Sequence, residues 1–240
     1  MTIRPLIVIP ARLAATRLPQ KPMAMIGDVP MIVHVWRRAV EAAIAPVIVA
    51  CDAPEIATAV SAAGGKAVLT DPHHPSGSDR VWEAVQRFDA KGEYNVIINL
   101  QGDLPTLDPA LLPVLLAALA TPNTDIATLA APINREEEHT NSSVVKAIIA
   151  QSGRALYFTR TSAPYGDGPR YHHIGIYAYT RAALEKFVAL PPSPLEVREK
   201  LEQLRALENG LQIAVAVVDT VPLGVDTPDD LERAREILCR

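Results

Sequence analysis

The first half of the sequence alternates short apolar runs, rich in Ile and Val, with longer stretches of helical character. The first apolar run, Pro5–Pro10, is too short and too β-branched for a helix and is typical of a buried strand. Further strands are predicted at 47–50, 67–69 and 95–100, and helices at 31–43, 54–63, 79–88 and 108–120. This alternation predicts an α/β fold: a mainly parallel, twisted sheet with helices on both faces, in three layers.

Beyond Asp125 the alternation becomes less regular. Strands are predicted at 126–131, 144–150, 171–180 and 211–219, and helices at 181–188, 195–209 and 228–238. No internal repeat or low-complexity linker divides the chain. We therefore expect a single domain over residues 1–240, with an inserted subdomain at about 133–210.

Composition excludes several classes of protein. The 240 residues carry a formal net charge of -4, and this mild acidity argues against a general nucleic-acid binder. The longest apolar stretch, Ala110–Ala120, is well short of the ~18 residues that a membrane span needs. No signal peptide is predicted, because Arg12 interrupts the first apolar run. The two cysteines exclude a disulfide scaffold, so we expect a cytoplasmic protein without nucleic-acid or membrane partners.

The loop after the first strand, 11–22, is basic. It contains Arg12, Arg17 and Lys21, and no acidic residue occurs before Asp28. In open α/β sheets, binding sites lie beyond the carboxyl ends of the strands. Cations without counter-charges at such a place predict a binding site for a polyphosphate or a carboxylate. The alternative is a solvated basic loop.

Two carboxylates lie after other strands, and neither is needed to cap a helix. Asp103 follows the central strand, where Asp108 and Thr106 stand in capping positions. Asp226 precedes the last helix, and Thr227 is the residue expected to cap it. Because Mg²⁺ prefers carboxylate oxygens, Asp103 and Asp226 are predicted as a metal-binding pair.

Common catalytic motifs are absent from the sequence. The first loop has no G-x-G-x-x-G motif, and neither a P-loop nor a G-x-S-x-G motif occurs anywhere. This argues against a standard dehydrogenase, P-loop NTPase or α/β-hydrolase. The segment Ser76–Arg80 has two interpretations: Ser76 or Ser78 caps the following helix, or the loop closes over a nucleotide with Arg80 reaching an anion.

The loop 9–22, IPARLAATRLPQKP, strongly resembles the nucleotide-binding motif of the 3-deoxy-manno-octulosonate (Kdo) cytidylyltransferases, the CMP-Kdo synthetases. The resemblance spans almost the whole chain, because further motifs follow in the family's order. They are 30–35, 76–80, 145–146, 155–158, 175–177, 193–196, 201–205 and 224–228.

The resemblance implies a nucleotide-diphospho-sugar transferase fold and a homodimer. It also implies a reaction of CTP with Kdo, in the presence of Mg²⁺, to give CMP-Kdo and pyrophosphate for lipopolysaccharide synthesis. The subdomain at about 133–210 would then carry sugar-binding residues and the dimer contact. Rival interpretations are a cytidylyltransferase for an 8-amino Kdo analogue or a sialic acid, and a non-catalytic nucleotide-sugar-binding protein.

Residue roles carried over by motif fall into three groups. The nucleotide would be bound by Ala11, Arg12, Arg17, Lys21, Ser76 and Arg80. The sugar would be bound by Gln101, His173, Tyr177, Glu202 and Gln203. Arg12, Lys21, Asp103 and Asp226 would be catalytic, with Asp103 and Asp226 holding the magnesium.

The sequence departs from the family pattern in two places. Leu104 stands where the family usually has Glu, which predicts the loss of a contact next to the metal site. The segment 164–172 is shorter than in familiar members and flanks the predicted sugar pocket. The choice of sugar is therefore less well determined than the choice of nucleotide.

Overall fold

The computed structural model describes residues 2–14 and 18–239. Within them the strands are β1 (Pro5–Ala11), β2 (Met25–Ile26), β3 (Val29–Pro30), β4 (Val47–Cys51), β5 (Lys66–Leu69), β6 (Val96–Asn99), β7 (Ile126–Pro132), β8 (Lys146–Ile149), β9 (Ala155–Thr159), β10 (Tyr171–Thr180) and β11 (Ile213–Val217). The α-helices are α1 (Met31–Glu41), α2 (Pro54–Ala62), α3 (Gly77–Phe88), α4 (Leu111–Leu119), α5 (Glu136–Thr140), α6 (Arg181–Ala189), α7 (Pro194–Glu199), α8 (Gln203–Glu208) and α9 (Pro228–Leu238). The predicted α/β class is confirmed.

The chain divides into two compact units. One combines the chain up to Pro113 with the segment from Pro222 onward, and the other is Val114–Val221. The predicted inserted segment, 133–210, lies within the second unit. Its proposed roles in sugar binding and in a dimer contact stay predictions.

The first unit is built on parallel strands in the order β6-β1-β4-β5. The apolar side chains of Leu6–Ile9 in β1 are completely buried, as expected for a strand covered on both faces. From β1 the chain steps outward through α1 to β4 and through α2 to β5, and α3 then leads back across β1 to β6. Because β-α-β crossovers are right-handed, α1 and α2 cover one face and α3 the other.

This reversal of direction creates a topological switch point between β1 and β6. In open α/β sheets, ligands bind outside the carboxyl ends of the strands at such a point. The basic loop leaves β1 here, and Gln101-Gly102-Asp103 follows β6. The topology therefore supports the sequence-based choice of these two segments as parts of a site.

The second unit has a mixed sheet in the order β11-β7-β10-β8-β9. β11 and β7 are parallel, and the remaining neighbours are antiparallel. The pairing of β7 with β10 is irregular, with a register shift between Ile174 and Tyr177. No helix in the described part of the chain is both long and apolar enough to cross a membrane.

The prediction of a single helix at 195–209 is wrong. It is divided into α7 and α8, because Lys200 takes a left-handed conformation with φ of 56° and ends α7. The side chain at this position gives no sequence signal for the break, since left-handed residues are usually Gly or Asn. The short elements β2, β3, β9 and α5 were not predicted either, and β2 and β3 form a hairpin too short to show a periodic pattern.

An ion pair joins α8 to α7. The Arg205 guanidinium donates to both carboxylate oxygens of Glu196, at 2.8 Å and 2.5 Å, and also lies over the ring of Phe187. Both charged side chains are largely buried, at 9% and 12% exposure. The pair fixes the start of α8, where the predicted sugar-binding residues Glu202 and Gln203 lie.

Replacing Arg205 with Leu should lower the free energy of unfolding by about 3 kcal/mol, because it leaves the Glu196 carboxylate buried without its cation. Urea denaturation measures this loss. Arg198→Leu on the exposed face of α7 is the control and should change stability by less than about 0.5 kcal/mol. Equal losses in the two variants would show that the buried pair does not hold α8.

Candidate active site

A cavity of about 400 Å³ lies at the switch point. The loop after β1, the segment after β6, the loop between β5 and α3, and Asp226 ahead of the N-cap of α9 contribute to its wall. Among the predicted site residues, its lining includes Ala11, Arg12, Lys21, Ser76, Arg80, Gln101, Asp103 and Asp226. Arg17, predicted to contact the nucleotide, lies outside the described residues.

The side chain of Lys21 joins the two predicted metal ligands. Its Nζ donates to Oδ2 of Asp103 at 2.7 Å and to Oδ1 of Asp226 at 3.0 Å. The expectation that Lys21 lacks a counter-charge is therefore wrong. The acidic partners are absent from the local sequence but are brought to it by the fold, from positions 82 and 205 residues away along the chain.

The protonation of Lys21 follows from its surroundings. Partial burial by itself lowers the pKa of its ammonium group, but the negative charges of Asp103 and Asp226 and their hydrogen bonds outweigh burial. The pKa of Lys21 is consequently raised above its ordinary value. Lys21 is thus a permanent cation at neutral pH, in a position to bind an anion.

Backbone contacts bring the two acidic residues together. The N–H of Val225 donates to the carbonyl of Asp103 at 2.9 Å. Gly102 is required in this place, because a Cβ there would lie 2.6 Å from the carbonyl oxygen of Pro10. The ends of β1 and β6 can therefore approach closely only with glycine at this position.

The predicted helix caps hold in part. Thr227 caps α9 and forms a capping box with Asp230, so Asp226 is left outside the cap, as predicted. Asp108 accepts a hydrogen bond from the N–H of Ala110 near the start of α4. Thr106 was also expected to stand in a capping position, but its hydroxyl instead accepts a hydrogen bond from the N–H of Leu223 at 3.1 Å.

Ser76 and Arg80 have structural partners within the protein. Ser76 is the N-cap of α3 and accepts from the N–H of Asp79 at 3.2 Å, which confirms the capping interpretation. The buried guanidinium of Arg80 donates to the hydroxyl of Thr70 at 2.6 Å and lies 3.9 Å from Asp52. Arg80 therefore has a carboxylate of the protein as one of its partners, and both Ser76 and Arg80 also border the cavity. Their contacts with a nucleotide stay predictions.

Two residues of this region were not predicted. Asp52 accepts from the N–H of Leu13 at 3.1 Å and so fastens the start of the basic loop to the end of β4. His74 borders the cavity, and its Nε2 lies 2.5 Å from Oε2 of Glu83 on α3. The spacing of nine residues from His74 to Glu83 is not a recognised motif, so the sequence carries no signal for this pair.

The donor set of the cavity fits magnesium. Asp103 and Asp226 offer hard carboxylate oxygens, and Mg²⁺ is commonly bound by one or two carboxylates together with substrate phosphates. In the described part of the chain, no group of three or more His, Cys, Asp or Glu side chains forms a closed metal site.

Leu104, which replaces the Glu usual in the family, is buried at 8% exposure. A Cβ at Gly224 would lie 3.8 Å from the Leu104 Cδ2, so the side chain packs against the backbone that leads to Asp226. An apolar contact thus occupies the place next to the carboxylates. The predicted loss of a polar contact here stays a prediction.

Three of the predicted sugar-binding residues of the second unit, His173, Tyr177 and Glu202, lie near one another. The rings of His173 and Tyr177 have centroids 5.6 Å apart. Burial raises the pKa of Tyr177 far above its ordinary value, and the charge of Glu202 raises it further, so these two residues are near neighbours. Gln203 is buried, and its Nε2 has no hydrogen-bond partner among the described residues.

Comparison with known proteins agrees with the motifs. The family model described as cytidylyltransferase matches residues 6–213. A 3-deoxy-manno-octulosonate cytidylyltransferase from Parvibaculum lavamentivorans is 65% identical, covering 98% of this chain and 93% of the relative. The relative of the same name from Paramagnetospirillum magneticum is 60% identical and is covered over 98% of both chains.

Solved structures extend the likeness to the fold. A CMP:2-keto-3-deoxy-manno-octonic acid synthetase, solved in complex with CTP, is 40% identical, with a TM-score of 0.92 and coverage of 98% of both chains. A cytidylyltransferase from Leptospira borgpetersenii is 16% identical with a TM-score of 0.66, which shows a common fold alone. On the family match and on these full-length relatives, the chain belongs to the 3-deoxy-manno-octulosonate cytidylyltransferase family.

Proposed function

We propose that this protein transfers the CMP group of CTP to Kdo, giving CMP-Kdo and pyrophosphate. The observation that carries the proposal is the cavity at the switch point, in which a permanently charged Lys21 lies between Asp103 and Asp226. The relatives of 60–65% identity bear the name of this activity. The CTP complex of the structural relative supports CTP as the nucleotide.

The reaction is a direct displacement at phosphorus. The anomeric hydroxyl oxygen of Kdo forms a bond to the α-phosphorus of CTP, and the bond to the oxygen that bridges the α- and β-phosphates breaks. Pyrophosphate leaves with the electron pair of that bond, and the hydroxyl proton is released. The protein does not need to supply a nucleophile, so its contribution is to orient the reactants and to stabilise charge.

Both substrates are anions, and the basic side chains of the cavity reduce their repulsion. We propose that Arg12 and Lys21 bind the phosphate groups of CTP, together with Arg17. Arg12 is exposed at the cavity, whereas Lys21 is oriented by its two carboxylate partners. Asp52 supports the basic loop by accepting a hydrogen bond from the N–H of Leu13. Arg80, in the first turn of α3, lies beside Asp52 and so connects this loop to the start of α3.

We further propose that Asp103 and Asp226 hold Mg²⁺ when the nucleotide binds. The metal would supply positive charge for the phosphate oxygens in the transition state. The structural contribution of the protein is the placement of two carboxylates by Gly102, Val225 and Lys21. Gln101 borders the same cavity and is proposed to face the sugar. The homodimer and the role in lipopolysaccharide synthesis stay predictions from the family, and the cytoplasmic location stays a prediction from the sequence.

Purified protein with CTP and Mg²⁺ should release pyrophosphate when Kdo is added. With Kdo labelled with ¹⁸O at the anomeric hydroxyl, the label should appear in the bridge between sugar and phosphate, because the hydroxyl oxygen is the attacking atom. A coupled pyrophosphate assay and mass spectrometry of the product measure the two results.

Parallel reactions with an 8-amino Kdo analogue and with a sialic acid test the choice of sugar. Release with one of these but not with Kdo would overturn the substrate and leave the reaction type intact. No release with any acidic sugar would overturn the cytidylyltransferase activity and favour a nucleotide-sugar-binding protein.

Asp103→Asn and Asp226→Asn should each lower turnover by ~100-fold or more, the scale of losing one preorganised charged group. Each variant should also need more Mg²⁺ for half-maximal activity, because a metal ligand has lost its charge. Since the carboxylates are partly exposed, at 29% and 47%, the loss of one ion pair should cost no more than about 1 kcal/mol of stability.

Asp108→Asn is the matched control. It removes one charge from the same segment, and Asn can still cap the start of α4, so turnover and Mg²⁺ dependence should stay as in the wild type. If the Asp103 and Asp226 variants lost turnover only in proportion to a loss of folded protein, their role would be structural.

A further inference from the structure

Thr128 lies completely buried in β7, opposite the irregular part of β10. Its hydroxyl oxygen lies 3.1 Å from the carbonyl oxygen of Ile174 and 2.9 Å from that of Ile176, on either side of Gly175. The same oxygen lies 3.0 Å from Nε2 of His173. One hydroxyl group thus makes three polar contacts, two of them with groups that can only accept.

The number of protons decides how these contacts are made. If the hydroxyl donated its single proton to Nε2 of His173, its oxygen would face both carbonyl oxygens without a proton between them, which is repulsive. If His173 carries its proton on Nε2, that N–H donates to Thr128, and the hydroxyl donates to the two carbonyls. The second arrangement satisfies all three contacts.

The other ring nitrogen of His173 is then an acceptor. Burial lowers the pKa of His173 to about 3, and the neighbouring His172 adds to this, so the ring is neutral at pH 7 and holds one N–H. With that proton on Nε2, Nδ1 has a lone pair. Among the described residues Nδ1 has no hydrogen-bond partner, and it is not one of the fully buried unpartnered atoms, so this nitrogen keeps some accessible surface although His173 as a whole is only 8% exposed. The ring lies between Phe158 and Tyr177.

We propose that Thr128 is a positioning residue, which fixes His173 in the Nε2–H tautomer so that Nδ1 accepts a hydrogen bond from a hydroxyl group of the sugar substrate. The inference rests on the proposed function for its ligand. An accessible acceptor to which the protein supplies no donor can bind a ligand donor, and a polyhydroxylated sugar supplies many. The nearby Tyr177 keeps its proton, since its pKa is raised, so it can donate to the same ligand.

The tautomer is measured directly by two-bond ¹H–¹⁵N correlation spectra of protein labelled in its histidine rings. In the wild type, the His173 signals should show a protonated Nε2 and an unprotonated Nδ1, and His173→Gln identifies those signals by their loss. Thr128→Val keeps the shape of the side chain but removes the hydroxyl, so the proton should shift in part or fully to Nδ1. Thr128→Ser retains the hydroxyl and should keep the wild-type pattern.

Steady-state kinetics test the ligand. For Thr128→Val, KM for the acidic sugar should rise about tenfold, the size of one net hydrogen bond, with KM for CTP changed less than about twofold. Thr128→Ser should restore the wild-type value. A purely structural Thr128 would instead lower stability and turnover without a selective change in the sugar KM.

A wild-type spectrum with the proton on Nδ1 would overturn the inference, even if the Thr128→Val variant failed to fold. An unchanged sugar KM in Thr128→Val, with an altered tautomer, would overturn the ligand contact. The failure of the proposed function is distinguished from the failure of this inference by the assay used. If the pyrophosphate assay showed that the wild-type protein uses no acidic sugar, the proposed function would be overturned, whatever the histidine spectrum showed.

Discussion

The cavity of the candidate active site depends on one cation placed between two carboxylates. Lys21 lies in the loop after β1, Asp103 after β6 and Asp226 before α9, so these contacts connect three segments that are far apart in sequence. The same three residues are the proposed phosphate and metal ligands. The charges that join these segments are thus the ones proposed to bind the substrate and the metal. Because they are only partly buried, they can exchange partners without the cost of exposing a deeply buried ion pair.

The sheet topology places the contacts of Lys21 with Asp103 and Asp226 at the carboxyl ends of the strands. Right-handed crossovers reverse direction between β1 and β6, and the cavity forms where the loops from these strands diverge. Around it, side chains of the surrounding elements fix the loops: Asp52 holds Leu13, and Glu83 holds His74. In the second unit a polar contact also fixes an irregular segment, because the hydroxyl of Thr128 donates to the carbonyls on both sides of the β-bulge in β10. In both units, buried or half-buried polar contacts orient the groups proposed to bind substrate.

Much of this arrangement could be predicted from the sequence, and the failures have a common cause. Buried strands such as β1 and β6 were predicted because their apolar residues are local and continuous, and Thr227 was predicted because capping is local. The ion pairs of Lys21 with Asp103 and Asp226 and the hydrogen bonds from Thr128 to β10 join residues distant in the chain, and no local pattern encodes them. The division of α7 from α8 failed differently, because Lys200 adopts a conformation that its side chain does not favour.

The central claim, that the charge of Lys21 offsets the repulsion between two converging carboxylates, is tested most directly by comparing the stabilities of Lys21→Met and of Lys21→Met combined with Asp103→Asn at pH 7. Without the cation, the carboxylates of Asp103 and Asp226 face each other with like charges, which lowers the free energy of unfolding. The stability deficit of Lys21→Met relative to the wild type should therefore be relieved in part by adding Asp103→Asn, and it should shrink when added salt screens the repulsion. A deficit that neither Asp103→Asn nor salt relieves would contradict the account.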